Sequence, residues 1–490
     1  MNKSLRAVLG LTLLCATFAT DRPIEARGPD RLARSIDAIL AREVFRPALV
    51  AIDIRDLESG KVLYEKNAAQ NVKPASTMKL FTTAAILDAE GPGEGAGGST
   101  TLETAGRLDG FGRVLGDLYL IGRGDPNLSD RFEWRSEKNP FDQMAKDVRE
   151  AGITRVEGRV IGYDGLFTDE TVPDGWTADD LVWSYGAEVS ALSAFDNTLR
   201  LRLEPGEVDG DPSRLTALPV PAFLHIDNRV VTSPEGTKAN ISLSRTLGSR
   251  RVVIEGTVPR LGPAWTGGVA IPEPTLFAAT LLTEALARLG VTMRDTAATS
   301  RSPLPPSLRP LASVRGPAVA EQIRVINKES QNLHAETLLR RLGLAAYKDA
   351  SVEASLRARE SFLKAQGVRF EDNAMYDGSG LSRSDLVTAR SLVDLLVAMD
   401  RHPQAKAFRD SLPIGGVDGT LKRRMAGTSA TGRVFAKTGS LSHVNALAGY
   451  VDSVSGRRLA FSIIVNNHTR PSKEATEAVD AICALLAELP

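Results

Sequence analysis

Cysteine is almost absent. The 490 residues contain two, Cys15 and Cys483, and Cys15 falls in a segment that reads as a removable leader. The mature chain would keep Cys483 alone, which excludes an intrachain disulfide and leaves stability to packing. An excess of charge is absent too. Lys plus Arg and Asp plus Glu are each 60, so nothing marks nucleic acid or an anionic membrane as a partner. Long hydrophobic runs are missing: Ala7 to Leu14 is far short of the roughly 20 residues a spanning helix needs. With Lys3 and Arg6 before it and Ala16, Thr17 and Ala19 after it, the segment 1–20 reads as a secretory signal peptide. It predicts a periplasmic or secreted protein with no stable membrane span after cleavage. Leu14 before Cys15 is a poor fit to a lipoprotein signal. Histidine is scarce. The five, His225, His334, His402, His443 and His468, show no H-E-x-x-H or paired-Cys spacing, so neither a metal nor another cofactor is implied. No serine sits in a G-x-S-x-G elbow, and Gly122 to Asp125 lacks the Lys-Ser/Thr ending of a phosphate loop.

What is present is ordinary globular composition and a chain long enough for two or three domains. After a helix around Arg31 to Phe45, Ala48 to Asp56 and Val62 to Glu65 read as a strand hairpin. Pro74 sets up a largely buried helix that Gly91-Pro92-Gly93 ends. From about Ser99 to Gly268 short β-like runs dominate, such as Val114 to Ile121, Arg155 to Tyr163, Leu199 to Leu203 and Arg251 to Val258. Helical patterns return at Pro274 to Leu289, Ala335 to Leu342, Ser351 to Ala365 and Ala389 to Met399. Strands follow at Arg433 to Thr438, Ala446 to Val451 and Leu459 to Asn466, then a helix near Glu474 to Leu486. The expectation is an α/β fold in which strands from both chain ends share one sheet. The catalytic unit spans 28–94 and 270–490, and a β-rich insertion spans 95–269.

Three motifs stand in order: Ser76-Thr77-Met78-Lys79, Ser330-Gln331-Asn332 and Lys437-Thr438-Gly439-Ser440. Together they outline an acyl-transfer site. At i and i+3 on a helix, Ser76 and Lys79 share a face, so the Lys79 amine can reach the Ser76 hydroxyl and act as its base. The amine must then be neutral part of the time, which burial or a nearby cation such as Lys437 would favour. The helix start also favours negative charge developing at Ser76. A single S-x-x-K is weak evidence, and Ser361 to Lys364 is a second copy. That copy lies among Arg357, Arg359 and Glu360 and reads as a solvated helix face.

With these motifs, and with Gly116-Asp117-Leu118, Gly122-Arg123-Gly124-Asp125-Pro126, Tyr185-Gly186-Ala187 leading into Ser190-Ala191-Leu192-Ser193, Asp377 to Ser382, and Leu412-Pro413-Ile414 leading into Gly416 to Thr420, the chain resembles the low-molecular-mass class C penicillin-binding proteins. These form the D-alanyl-D-alanine carboxypeptidase and endopeptidase family. The resemblance implies a transpeptidase/β-lactamase-like domain, an antiparallel sheet flanked by helices, with inserted β-rich domains. It implies that Ser76 attacks the D-Ala-D-Ala peptide bond of peptidoglycan stem peptides and that Ser330 relays a proton to the leaving amine. Asn332 would hold a substrate amide, Lys437 and Thr438 would receive the terminal carboxylate, and Gly439 would let the strand lie close to substrate. The backbone N–H groups of Ser76 and Ser440 would form the oxyanion hole. β-Lactams would be covalent inhibitors. Gln331 departs from the commoner Asp. Asp377 to Ser382 and Asp418 to Thr420 read first as glycine-bearing turns.

The rivals are a β-lactamase, which shares the three motifs but needs far fewer residues, and a non-catalytic wall-binding protein on the same fold. Intact Ser76, Lys79, Ser330 and Lys437 speak against the second. Carboxypeptidase and endopeptidase action both stay open at this level, as does the deacylation base.

Overall fold

The structure, a computed structural model, describes residues 28–93, 98–132, 137–219 and 221–490. The expected signal segment lies outside the described residues. Among those residues no helix is long and apolar enough to cross a membrane.

Strands from the two chain ends pair as their alternation requires. One antiparallel sheet runs in the order Val434–Leu441, Val444–Asp452, Arg458–Asn466, Leu49–Asp56, Val62–Lys66. Its two middle C-terminal strands are buried along nearly their whole length, because helices cover both faces and leave no solvated side. Side-chain alternation then divides the residues between two cores. Ile52, Ile54, Leu447, Phe461 and Ile463 meet Leu32 and Ile36 of the Gly28–Leu40 helix and Val479 and Ile482 of the Ser472–Ala487 helix. Ala51, Ala446, Ala448, Tyr450 and Ile464 face the Lys79–Glu90 and Ala389–Arg401 helices. Cys483 is buried in the first core. The Lys79–Glu90 helix is buried through Leu87 and stops at Gly91, whose φ of +72° suits glycine. Its position between sheet and helices makes it a rigid mount. Truncating its buried Phe81 to Ala would cost about 3–5 kcal/mol.

Among the described residues the remaining strands form four further sheets, of three to five strands, from residues 99–315. Two expected strands divide. Val114 to Ile121 splits at Gly116-Asp117 into Arg113–Leu115 and Leu118–Gly122, and Arg155 to Tyr163 splits into Arg155–Val156 and Val160–Tyr163. In each case the halves enter different sheets. The Pro274–Arg288 helix shares a core with Leu102, Leu120, Phe141 and Leu199, and Arg309–Arg315 pairs with Ser99–Thr104. By pairing and packing, the Pro274–Arg288 helix and the Arg309–Arg315 strand thus share a core and a sheet with elements of the expected insertion. The hydrophobic text of these elements reads the same in either place, since only a tertiary partner tells them apart.

Candidate active site

Ser76 lies in a 3₁₀ turn, Ala75–Met78, that runs straight into the α-helix beginning at Lys79. The tighter turn brings i and i+3 into line more closely than an α-helix would. Lys79 Nζ sits 2.8 Å from Ser76 Oγ. The same amine lies 2.6 Å from Asn332 Oδ1 and 2.7 Å from the Ser379 carbonyl. The Asn332 amide is oriented by its other end, because Nδ2 donates to the Tyr185 carbonyl at 2.7 Å. Both Asn332 Oδ1 and Ser379 O can only accept. A neutral amine has two N–H bonds and one lone pair, so these two acceptors occupy the N–H bonds and the lone pair is left facing the Ser76 hydroxyl. Burial drives the amine toward that state. Lys79 is fully enclosed and its pKa falls to about 7, against the opposing pull of Asp377, Glu336 and Asp385.

A second hydroxyl–amine pair faces the same cleft. Lys437 Nζ is 2.9 Å from Ser330 Oγ and 2.9 Å from the Thr438 carbonyl. Burial, and then the charge of Lys79, holds Lys437 well below the usual lysine value. Burial is thus the first cause of the lowered proton affinity of both lysines, and the carboxylates that oppose it at Lys79 do not do so at Lys437. Ser330 joins the Val319–Lys328 and Asn332–Tyr347 helices at φ +62°, a left-handed backbone that costs a non-glycine residue about 1–2 kcal/mol. The Gln331 side chain caps the second helix by accepting from Leu333 N at 3.2 Å, a task the commoner Asp could also perform.

Ser76, Ser330, Asn332 and Ser440 line one cavity of about 350 Å³, together with Tyr185, Asp180 and Arg383. Two of these, Asp180 and Tyr185, come from the insertion. Lys437 is fully buried behind the wall, turned toward Ser330 rather than into open space. Thr438 bonds instead to Thr420, Oγ1 to Oγ1 at 2.9 Å. At Gly439 a Cβ would stand 2.8 Å from the Pro74 carbonyl and 3.1 Å from Ala75 Cβ, so its smallness lets the strand pack against the residue before the nucleophile. Gly380, at φ +78°, presses on the same place, where a Cβ would come within 1.9 Å of Ala75 O. Asn332, expected to hold a substrate amide, already engages Lys79 and Tyr185.

The two loops read as plain turns supply contacts the sequence did not reveal. Asp377 accepts from Gly380 N at 2.6 Å, Ser382 N at 2.8 Å and Trp176 Nε1 at 2.9 Å, which fixes the Ser379 carbonyl over Lys79. Although burial opposes ionisation of Asp377, hydrogen bonds from Asp385, Trp176, Ser382 and Gly380 hold its carboxyl below the usual range. Glu336 accepts from Gly378 N at 2.9 Å and 3.0 Å, and burial followed by the Asp377 charge pushes it up to about 7. The other loop brings Thr420 to Thr438. Run-of-the-mill glycine turns signalled neither role; only their place beside the motifs in the resemblance did. Ser361, in the second S-x-x-K, lies exposed on the Val352–Ala365 helix and does not line this cavity.

Comparison with known proteins agrees with this architecture. A crystal structure of penicillin-binding protein 4 (dacB) from Haemophilus influenzae superposes with a TM-score of 0.77 at 22% identity, over 92% of this chain and 97% of that one. The same protein complexed with a β-lactam gives a TM-score of 0.72, also at 22% identity, over 92% and 98%. The chain therefore shares the fold of that penicillin-binding protein. A D-alanyl-D-alanine carboxypeptidase of Actinomadura sp. (strain R39) is 34% identical over 98% of this chain and 89% of its own length. The model of the D-Ala-D-Ala carboxypeptidase 3 (S13) family matches residues 32–489, and the chain belongs to that family. It is a hydrolase of the serine-type carboxypeptidase kind.

Proposed function

We propose that this carboxypeptidase cleaves the terminal D-Ala-D-Ala bond of peptidoglycan stem peptides through an acyl-enzyme on Ser76, in the periplasm or outside the cell after removal of residues 1–20. The observation that carries this reading is the acceptor set around Lys79, which leaves a neutral amine's lone pair for the Ser76 hydroxyl. Lys79 takes the Ser76 proton as Oγ attacks the peptide carbonyl. The backbone N–H groups of Ser76 and Ser440 stabilise the tetrahedral oxygen. Ser330 passes a proton to the departing amine, and Lys437 holds that hydroxyl in place. Thr438 and Thr420 present hydroxyl donors to the terminal carboxylate, with the buried Lys437 behind them. Water then releases the shortened peptide. Endopeptidase action on a cross-link would use the same acyl-enzyme with a larger leaving amine, and a digest of purified muropeptides shows which bond is cut.

β-Lactams fit the same site because their strained amide mimics the D-Ala-D-Ala bond, and after ring opening the leaving amine stays tethered and shields the ester. Benzylpenicillin should therefore yield one long-lived adduct in intact-protein mass spectrometry, mapping to the peptide that holds Ser76. Rapid penicillin consumption with no adduct would instead indicate a β-lactamase. No reaction at all would indicate a non-catalytic protein.

A further inference from the structure

The turn that carries Ser330 is gripped from the insertion as well as from its own helices. Glu329, the residue before Ser330, accepts from Arg131 at 3.2 Å. Arg131 also donates both arms of its guanidinium to Asp196, at 3.1 Å and 2.8 Å. Asp196 Oδ1 in turn meets His334 Nε2 at 2.8 Å, and His334 is wholly buried two residues beyond Asn332. One carboxylate from the insertion thus reaches the chain on both sides of the Ser330-Gln331-Asn332 turn.

The backbone is bent to put that carboxylate there. Phe195, Asp196 and Asn197 have successive φ values of +50°, +57° and +51°, three left-handed residues in a row, none of them glycine. Asn197 locks the bend. Its Oδ1 accepts from Ala194 N at 3.0 Å, while Nδ2 donates to the Glu188 carbonyl at 2.8 Å and to Ser193 Oγ at 3.1 Å. Burial disfavours the ionised Asp196, yet the hydrogen bonds and charge of His334 and Arg131 hold its carboxyl below the usual range.

Mere attachment of the insertion does not need this arrangement. Asp169 already ties it to the same helix, pairing with Arg340 at 2.9 Å two turns further from Asn332. We propose that Asp196, acting through Arg131 and His334, is a positioning residue for acylation, so that the insertion sets the orientation of the Ser330–Asn332 turn relative to Lys437 and Lys79. The proposal rests on the reading of Ser330 and Asn332 as site residues.

The test compares Asp196→Ala, Asp196→Asn, Arg131→Gln and Asp169→Asn in the full chain. Readouts are kcat and KM on a D-Ala-D-Ala peptide, the rate of Ser76 acylation by benzylpenicillin, and Tm. Misplacing a reacting group by an ångström suffices for a loss of about 10- to 100-fold. Asp196→Ala should lose that much in kcat and in acylation rate with KM little changed. Asp196→Asn, which keeps an acceptor, should recover part of it, and Arg131→Gln combined with Asp196→Ala should lose less than the product of the single losses. Asp169→Asn should lower Tm while kcat stays near the parent value. Parental kcat in Asp196→Ala would overturn the proposal, as would losses that follow Tm equally in the Asp196 and Asp169 variants. If Asp196→Ala fails to fold, Asp196→Asn carries the same comparison. Ser330→Ala separates the two levels: full acylation in that variant defeats the site reading itself, whereas an inactive Ser330→Ala beside a normal Asp196→Ala defeats only the positioning role.

Discussion

The outer sheet of the insertion and the floor of the cleft are both rich in charge, and they treat it in opposite ways. On the sheet formed by His225–Ser233, Asn240–Arg245 and Arg251–Pro259, Arg229 bonds Asp227 at 2.8 Å and Glu255 at 2.9 Å, and Arg251 adds a contact to Asp227 at 3.3 Å. Hydrogen bonding to Arg229 draws Asp227 further into its charged form, and that to Asp227 does the same for Arg229. In the cleft floor, Lys79 and Lys437 are buried with hydroxyls and carbonyls as nearest partners, and burial drives both toward the neutral form. Pairing in water makes a charge ordinary. Enclosure without a direct counter-ion makes an amine into a base.

The sharpest break in that contrast is Ser76→Ala. It removes one half-exposed hydroxyl and no core volume, so the fold should survive while turnover drops by roughly 10⁴-fold or more. Thermal melting alongside a peptidase assay checks both parts. Retained activity would move the nucleophile elsewhere.

Next in size is the protonation of Lys79. As a base it works only when neutral, so kcat/KM should rise with pH through a midpoint near the value of about 7 and flatten above it. Glu336 raises the proton affinity of Lys79 when ionised, so Glu336→Gln should move that midpoint downward. A midpoint left in place, or moved upward, would show that the carboxylate does not act on Lys79. Removal of the amine itself, Lys79→Met, should lower acylation by about 10²–10⁴-fold at every pH.

Lys437→Ala should cost less, about 10²-fold in acylation, and its pattern across substrates is informative. Because the amine is turned to Ser330 Oγ, peptides ending in a free acid or an amide should lose alike. Thr438→Val should weaken the free-acid peptide selectively, by about tenfold, through loss of one hydrogen bond to a charged group. The reverse pattern would return the carboxylate to Lys437.

Much of this was legible from spacing. The order of the three motifs placed Ser76, Lys79, Ser330 and Lys437 together, and the alternation of Leu49–Asp56, Val444–Asp452 and Arg458–Asn466 foretold one sheet made from both chain ends. The less legible parts share a cause. Ser379 and Tyr185 contribute carbonyl oxygens, which every residue has, so no side-chain pattern could mark them. Thr420 and Asp196 act across long sequence separations from ordinary-looking turns. The helix at Pro274–Arg288 is apolar on most of its surface, so its pattern fits either unit and only its packing partners tell them apart. The 3₁₀ turn at Ala75–Met78 differs from an α-helical start by a subtlety of backbone winding that residue spacing does not resolve.

The smallest expected effect concerns the second S-x-x-K, which repeats the spacing of the first in the opposite environment. Ser361 is exposed, and its hydroxyl donates to the Arg357 carbonyl at 2.9 Å within its own helix. Lys364 lies one turn on, paired with Glu360 at 2.5 Å, and that hydrogen bond draws its ammonium further into the charged form. A lysine so held has no lone pair to offer, and Ser361 has no enclosing wall to exclude water. Ser361→Ala should therefore leave kcat and penicillin acylation at parental values and Tm within about 1–2 °C. The comparison with Ser76→Ala holds sequence spacing constant and varies the surroundings of the serine and the lysine. A loss at Ser361 comparable to that at Ser76 would mean that spacing, rather than enclosure of the amine, makes the nucleophile.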